Sequence, residues 1–443
     1  MKKKFWIALI IFSLVGQIAW VVENMYFNVF IYKMFNASAK DISLMVAFSA
    51  IAATLTTIFM GALSDKIGKR KIFICLGYII WGVSILSFAF IRKGLITNIF
   101  GEAINAFTVG VNLVIIMDCV MTFFGSTAND ACFNAWLTDN TNSKNRGLAE
   151  GLNSMMPLIA ILCVFGGFMG FNLDLESSWV IIYIVIGSVV SLIGVIGFFI
   201  IEENKDLTKS DYGYFQTIIY GFKPSVIKKE YNLYISLIFF TIFGITIQIF
   251  MPYLLIYYEK SLGMADYVLI MAPAIILASV FTFFYGKLYD KIGYEKASIP
   301  SLLILLTGFI VLYLFPGIIH VTNFLMKAIV FIGSLLMMCG YLSGMAVFGA
   351  RIRDCTPEQM AGRFQGLRIV GQVLIPGVVG PLIGAGVLKN AETIINNDGT
   401  TSFIPNQNIF LASLISNVIL IIIMFVFFKI IKNRSKEKED KND

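Results

Sequence analysis

One histidine, His320, is all that this 443-residue chain contains. A single imidazole cannot build a His-based metal cluster or a Ser-His-Asp triad in the usual way. No GxxxxGK[ST] stretch is present to cradle nucleotide phosphates, so ATP is not the expected energy source. Charge is scarce as well: 14% of residues are charged and 58% are hydrophobic, against about 25% and about 45 to 50% in soluble domains. A chain of this composition has the bilayer as its main solvent. Its six cysteines, Cys75, Cys119, Cys132, Cys163, Cys339 and Cys355, fall within apolar runs or on one side of the expected membrane, so no disulfide framework is expected. The net charge of +7 is spread over short loops rather than gathered in one patch, which gives nucleic acid nothing to bind.

What the chain has in quantity is apolar sequence in runs of helical length. Crossing a hydrocarbon core about 30 Å thick takes about 20 helical residues. Twelve runs qualify, over 5–32, 42–63, 72–91, 110–138, 149–171, 178–201, 233–258, 267–286, 297–315, 324–350, 366–388 and 408–431. The opening Met1-Lys2-Lys3-Lys4 imitates a secretory signal, yet the apolar run continues to Tyr32 without a small-residue cleavage site, so it is read as the first span. Residues 92–139 begin and end on opposite sides and are too long for one helix; a lead-in over 94–109 followed by one long span is expected. With both termini inside, the inner segments hold 27 of the 34 Lys and Arg and the outer loops hold 7, as the positive-inside rule requires. The expectation is a multi-pass protein of the cytoplasmic membrane with both termini cytoplasmic, its natural surroundings the lipid bilayer.

The chain also repeats itself. Gly61-Ala62-Leu63-Ser64-Asp65-Lys66-Ile67-Gly68-Lys69-Arg70-Lys71 returns in weaker form 225 residues later as Gly286-Lys287-Leu288-Tyr289-Asp290-Lys291-Ile292-Gly293-Tyr294-Glu295-Lys296. Each copy lies between two apolar runs, which marks an internally duplicated membrane protein. The turn from Asp139 to Arg146-Gly147 is likewise matched by Asp354 to Gly362-Arg363, and each leads into a span containing proline, Pro157 in one half and Pro376 with Pro381 in the other. The first loop resembles the signature between helices 2 and 3 of the major facilitator superfamily, G-x-L-x-D-r-x-G-r-k. That resemblance implies an all-α polytopic fold of twelve transmembrane helices in two pseudo-symmetric six-helix bundles. The boundaries expected here are 1–201 for the first bundle, 202–232 for a cytoplasmic linker, 233–431 for the second bundle and 432–443 for a disordered charged tail. In that fold Asp65 and Arg70, Asp290 in the second copy, and Arg146 and Arg363 are gating candidates that brace the cytoplasmic helix ends.

A finer resemblance follows from Asn129-Asp130, the run Phe133-Asn134-Ala135-Trp136-Leu137-Thr138-Asp139 and Arg146. These are similar to the fourth-helix region of the glycoside/pentoside/hexuronide:cation symporters, the melibiose permease group, in which an acidic residue matching Asp130 contributes to sugar and cation binding. The group's paired acidic residues in helix 2 have no counterpart, since that span offers only Ser49, Thr54, Thr56 and Thr57 before the loop. This departure puts a sodium-type site in doubt and favours proton coupling or facilitated diffusion.

Polar residues inside the spans supply the remaining candidates. Ser13, Gln17, Trp20, Asn24 and Asn28 share one side of the first helix, with Glu23 at its edge. A carboxyl there is costly enough to favour a functional role, whereas the amides serve helix-helix hydrogen bonding equally well. Asp118 and Asp130 are the other intramembrane carboxyls. The candidate solute and proton site is therefore Trp20, Glu23, Asn24, Asn129, Asp130 and Asn134, with Gln248 and Gln372 from the second half. The expected activity is secondary transport of a small polar solute, a sugar or glycoside, by a monomer with no cofactor beyond a coupling proton or sodium ion. Rival readings are an exporter of hydrophobic or drug-like compounds on the same fold, and a non-transporting membrane receptor or enzyme, for which the chain shows no soluble domain or catalytic constellation.

Overall fold

In a computed structural model of the chain, the described residues are 3–101, 105–141, 146–203, 219–314, 324–356, 361–396 and 399–439. Among them, eleven helices are long and apolar enough to cross a membrane. They are α1 (Lys3–Phe35), α2 (Ala39–Ile67), α3 (Lys71–Phe90), α4 (Ala106–Asp139), α5 (Arg146–Phe168), α6 (Glu176–Ile200), α7 (Tyr231–Ser261), α8 (Val268–Leu314), α9 (Phe324–Cys355), α10 (Gly366–Val387) and α11 (Asn408–Ile430). At 47 residues α8 is twice the length of a crossing, and Gly293 interrupts it at φ 76° and ψ 174°. Its two limbs are the eighth and ninth expected spans, so the crossings number twelve. A short helix, Lys93–Phe100, occupies the expected lead-in to α4. Beyond α11 the helical backbone continues through the charged stretch to Glu439.

The repeated loop shows why its glycines are there. In the first copy α2 closes on Gly68 in the left-handed region, φ 71°, with its N–H bonded to the Ser64 carbonyl at 2.9 Å. The chain then turns through Lys69 and Arg70 into α3. In the second copy Gly293 stands at the matching position, and the expected loop over 287–296 is reduced to the break at that one residue. A side chain at Gly68 would cost about 1–2 kcal/mol, because a Cβ crowds the following carbonyl in the left-handed region, and Gly293 holds a conformation that is essentially glycine's alone. The turn from α1 to α2 is set by other chemistry: Asn36 ends α1 at φ 48°, and Ser38 and Asp41 form a reciprocal capping box at the start of α2.

Helix faces sort by solvent. Along α6, Trp179, Ile182, Tyr183 and Val190 are buried, whereas Ile181, Val185, Leu192 and Phe199 are exposed. An apolar outward stripe of this kind is what lipid accepts and water does not. Because lipid gives apolar faces no reason to associate, close packing has to hold the bundle together. Between α3 and α6 it depends on Gly82 and Gly187, where a Cβ on Gly187 would come within 2.7 Å of the Gly82 carbonyl oxygen and one on Gly82 would meet Ser191 and the Gly187 carbonyl.

Proximity along the chain separates two compact units. The first comprises Met1–Val226, Gly362–Leu374 and Glu392–Phe403; the second comprises Ile227–Ala361, Ile375–Ala391 and Ile404–Asp443. In the first unit, β1 (Thr393–Ile395) and β2 (Thr401–Phe403) pair antiparallel with Ile394 opposite Ser402. This hairpin is held to α1, since Tyr32 Oη donates to the Phe403 carbonyl at 2.7 Å and Asn36 Nδ2 donates to Thr400 Oγ1 at 2.5 Å. Asn397 and Asp398 of the turn read from sequence lie outside the described residues, as do His320 and residues 204–218 of the expected linker. In the second unit α7 packs on Ile375–Val387 of α10 and on α11, and the limbs of α8 pack on α9.

Replacing Gly82 by valine should force α3 and α6 apart. Overpacking costs of about 1–3 kcal/mol are typical. The thermal unfolding midpoint of the purified protein should fall accordingly, while Gly94→Val, where an added Cβ meets nothing within 4 Å, should have little effect.

Candidate functional site

Four crossing helices widen into π-helical turns: Val22–Tyr26 in α1, Ser126–Phe133 in α4, Tyr257–Ser261 in α7 and Val370–Leu374 in α10. Such a turn adds a residue to the helical register and re-aims its side chains, and it recurs at functional positions. Glu23 and Asn24 lie in the first, Asn129 and Asp130 in the second, and Gln372 in the fourth.

Within the first unit, the α1 widening directs Glu23 inward, where it is 6% exposed. Its Oε1 accepts hydrogen bonds from Ser49 Oγ of α2 at 2.7 Å and from Thr122 Oγ1 of α4 at 2.9 Å, and the two hydroxyl oxygens are themselves 2.9 Å apart. Glu23 Oε2 is buried without a hydrogen-bond partner. So is Oδ1 of Asp118, which is 1% exposed and one helical turn before Thr122. The neighbouring Asn24 is exposed, and its Nδ2 donates to the Trp20 carbonyl at 2.8 Å. Trp20 is half-buried against Trp81, with ring centroids 4.9 Å apart.

Along α4 the candidates divide by face. Asp130 is half-buried and accepts from Ser126 Oγ at 2.9 Å. Asn134, a turn later, is exposed, with Nδ2 donating to the Asp130 carbonyl at 3.2 Å. Asn129 points the other way. It is buried, donates to Tyr78 Oη at 2.7 Å, and Tyr78 in turn donates to the Phe12 carbonyl at 2.7 Å. A Cβ on Gly16 would collide with this chain, so the glycine is what lets α1 approach it. Trp136 is buried, with Nε1 donating to the Glu202 carbonyl at 2.8 Å and its ring stacked on Phe5. Asn129 and Trp136 are thus engaged in packing, while Glu23, Asn24, Asp130 and Asn134 retain either access or free acceptor capacity. Gln248 is half-buried on α7 beside Gly380, and Gln372 is half-buried on α10.

The charged loop builds a second cluster in the same unit. Arg70 is buried, and its guanidinium pairs with Asp65, with Asp139 Oδ2 through Nε at 3.0 Å, and with Ser64 Oγ through Nη1 at 2.5 Å. The Glu203 carboxylate, just past α6, accepts from the backbone N–H groups of Arg70 and Lys71 at the start of α3, where the helix dipole favours negative charge. Burial disfavours the Arg70 charge, but Asp65 and Asp139 outweigh it and hold the guanidinium pKa above its ordinary value. The second copy is built differently. Asp290 is exposed and takes part in no ion pair among the described residues; Tyr289 Oη donates to Asp354 Oδ2 at 2.8 Å, and the Arg351 guanidinium lies 5.1 Å from the Tyr294 ring. The side chains of Arg146 and Arg363 lie outside the described residues.

Sequence reasoning missed Thr122, Tyr78 and Glu203, and it read Ser49 only as what α2 offers in place of acids. The available signal was Asp118 followed one turn later by Thr122, two polar groups on one face of an otherwise apolar helix.

Twelve apolar crossings that bury carboxyls, amides and hydroxyls describe a multi-pass membrane transporter. The sequence profile of the Major Facilitator Superfamily matches residues 5–381, and the chain belongs to that family. It is a secondary transporter and not an enzyme. Solved structures with a similar fold include the nucleoside transporter NupG, with a TM-score of 0.67 at 13% identity over 97% of this chain and 100% of that one. The xylose transporter XylE from E. coli has a TM-score of 0.67 at 12% identity, covering 96% and 99%. A bacterial homolog of the human lysosomal transporter Spinster has a TM-score of 0.64 at 16% identity, covering 96% and 97%. At such identities the likeness concerns the fold alone. No curated protein matches the chain in sequence.

Arg70→Lys keeps the charge but loses the planar fork that reaches two carboxylates and a hydroxyl together. Losing charge-assisted hydrogen bonds costs about 1.5–3 kcal/mol each, so a lowered unfolding midpoint is expected for Arg70→Lys, and a larger fall for Arg70→Ala, which removes the guanidinium that Asp65 and Asp139 share.

Proposed function

We propose that the chain carries a small polar solute, a sugar or glycoside, across the cytoplasmic membrane by alternating access, driven by a coupling proton or sodium ion. The observation that carries this reading is the polar surface that α1 and α4 present around their π-helical turns. Exposed Asn24 and Asn134 and half-buried Asp130 offer the kinds of donors and acceptors that a polyhydroxylated solute takes, and Trp20 lies one turn from Asn24. Asp130 accepts one hydrogen bond from Ser126, and an ionised carboxylate has room for several more. Gln372, in the same unit, would add an amide contact. An exporter of hydrophobic compounds would need aromatic side chains free to line its site; here Phe199, Phe283 and Phe284 face outward, and Phe12, Phe27 and Phe30 are packed against other aromatics.

The Arg70 cluster serves as the gate in this reading. Asp65, Arg70 and Asp139 tie the ends of α2 and α4 to the start of α3, and releasing them would free one conformation relative to the other. Asp290, Arg146 and Arg363 would act in the matching turns. The distribution of Lys and Arg supports a cytoplasmic side for this end and for both termini.

Uptake of a panel of labelled sugars and glycosides into proteoliposomes, under an imposed proton or sodium gradient, tests the proposal. Asp130→Asn should weaken apparent affinity for the transported compound by roughly ten- to a hundredfold, the value of one charge-assisted hydrogen bond. Full-rate, full-affinity uptake by that variant would remove Asp130 from the site. Asp65→Asn should bind the compound as the parent does and transport it slowly; unaltered transport would sink the gating role.

A further inference from the structure

At the end of α2 opposite the Arg70 cluster lies a cavity of about 450 Å³ to which none of the solute contacts belongs. Volumes of this order hold small molecules. Its walls come from four segments of the first unit: the end of α1, the starts of α2 and α4, and the hairpin. Asn36, which ends α1 in the left-handed region, fixes the hairpin wall. Its amide donates to Thr400 Oγ1 at 2.5 Å, and Asn396 Nδ2 bonds both Thr400 Oγ1 at 3.1 Å and Ser402 Oγ at 2.8 Å. On the α4 wall, Asn105 Oδ1 accepts from the backbone N–H groups of Phe107 and Thr108 at 3.0 and 3.3 Å. On the α2 wall, Asp41 Oδ2 is taken by Ser38.

The groups left over define what the cavity can hold. Among the described residues the Asn112 amide, the Thr401 hydroxyl, Nδ2 of Asn105 and Oδ1 of Asp41 take part in no hydrogen bond. Asp41 is the one charged side chain among the described lining residues; Lys93 lies over the Phe107 ring at 3.9 Å and is not part of the wall. An anion therefore finds no cation to pair with, and a divalent metal finds too few ligand charges. Amides, a hydroxyl and a carboxylate oxygen suit a ligand that both donates and accepts without bearing charge. Phe35 and Phe107 supply the apolar surface that the C–H side of a sugar ring needs.

We propose that this cavity is a second binding site for an uncharged polyhydroxylated compound, a sugar or glycoside, at the outer mouth of the first unit. Asn36 follows Asn24 by 12 residues on α1, and Asn112 precedes Asp130 by 18 on α4, roughly 18 and 27 Å of helix. One monosaccharide or disaccharide cannot occupy both places. A role as the first stop on the way to Asn24 and Asp130 rests on the transport reading above, whereas the site is defined by its own walls.

Equilibrium binding of tritiated D-xylose, D-galactose, maltose and methyl β-D-glucoside to the full chain in lipid nanodiscs, which have no lumen to fill, tests the site. At least one probe should bind the parent and Asp130→Asn, and its outer-site affinity should fall by about tenfold or more in Asn112→Leu/Thr401→Val, which removes two neutral hydrogen-bonding groups. Both of these side chains are exposed, so the unfolding midpoint of that variant should match the parent's. Binding that is abolished in Asp130→Asn and unaltered in Asn112→Leu/Thr401→Val would remove the outer site and leave the solute site standing. Saturable binding by none of the probes would also overturn the proposal. A probe that binds in the outer-site pattern while the uptake panel finds no transported compound would reject the solute assignment and keep the outer site.

Discussion

Every polar group placed inside this protein has to be answered from within it. In the hydrocarbon region there is no water to complete a hydrogen bond, and an unpaired group costs several kcal/mol. The backbone meets that demand by being helical almost throughout. Side chains meet it by short reaches to a carbonyl one turn back, as Asn24 does to Trp20 and Asn134 does to Asp130, or by chains such as Asn129 to Tyr78 to the Phe12 carbonyl. Among the described residues several buried groups remain without a partner, Ser43, Thr54 and Thr57 of α2 and the Trp81 indole among them, and the carboxyls in that set are Glu23 and Asp118.

The same constraint separates two kinds of charge. Arg70 is buried but surrounded, its guanidinium directed at Asp65, Asp139 and Ser64 while Glu203 holds the adjoining backbone amides. Its charge is balanced within the cluster, and removing one member leaves another stranded, which is what makes such a cluster strongly dependent on its arrangement. Glu23, by contrast, is buried with the Ser49 and Thr122 hydroxyls for company and no cation paired to it among the described residues.

Much of the fold was legible because its determinants are local. Apolar length marks a crossing, and Lys69, Arg70 and Lys71 beside a glycine mark a turn at its end. Even the break in α8 was readable, because Gly293 repeats the place of Gly68. The site was legible only in part. Glu23, Asn24, Asp130 and Asn134 stood out as polar residues in apolar runs, and Asn129 was named with them from the same stretch, although its amide is engaged with Tyr78. The π-helical turns make such faces hard to read from sequence, since each shifts the face that following residues occupy and a constant 100° step does not anticipate it.

By itself the sequence determined the solvent, the number of crossings, the duplicated turn and the family, since these depend on composition and on short motifs that act where they lie. Tertiary structure decided which carboxyls meet. Glu23, Ser49 and Thr122 are separated by 26 and 73 residues, and only the packing of α1, α2 and α4 brings them to one point with Asp118. It likewise decided that Asp139 and Glu203, distant in the chain, complete the Arg70 cluster, whereas Asp290 in the second copy of the same motif stays exposed. Pairing over such separations depends on helix position and register, which no local pattern encodes.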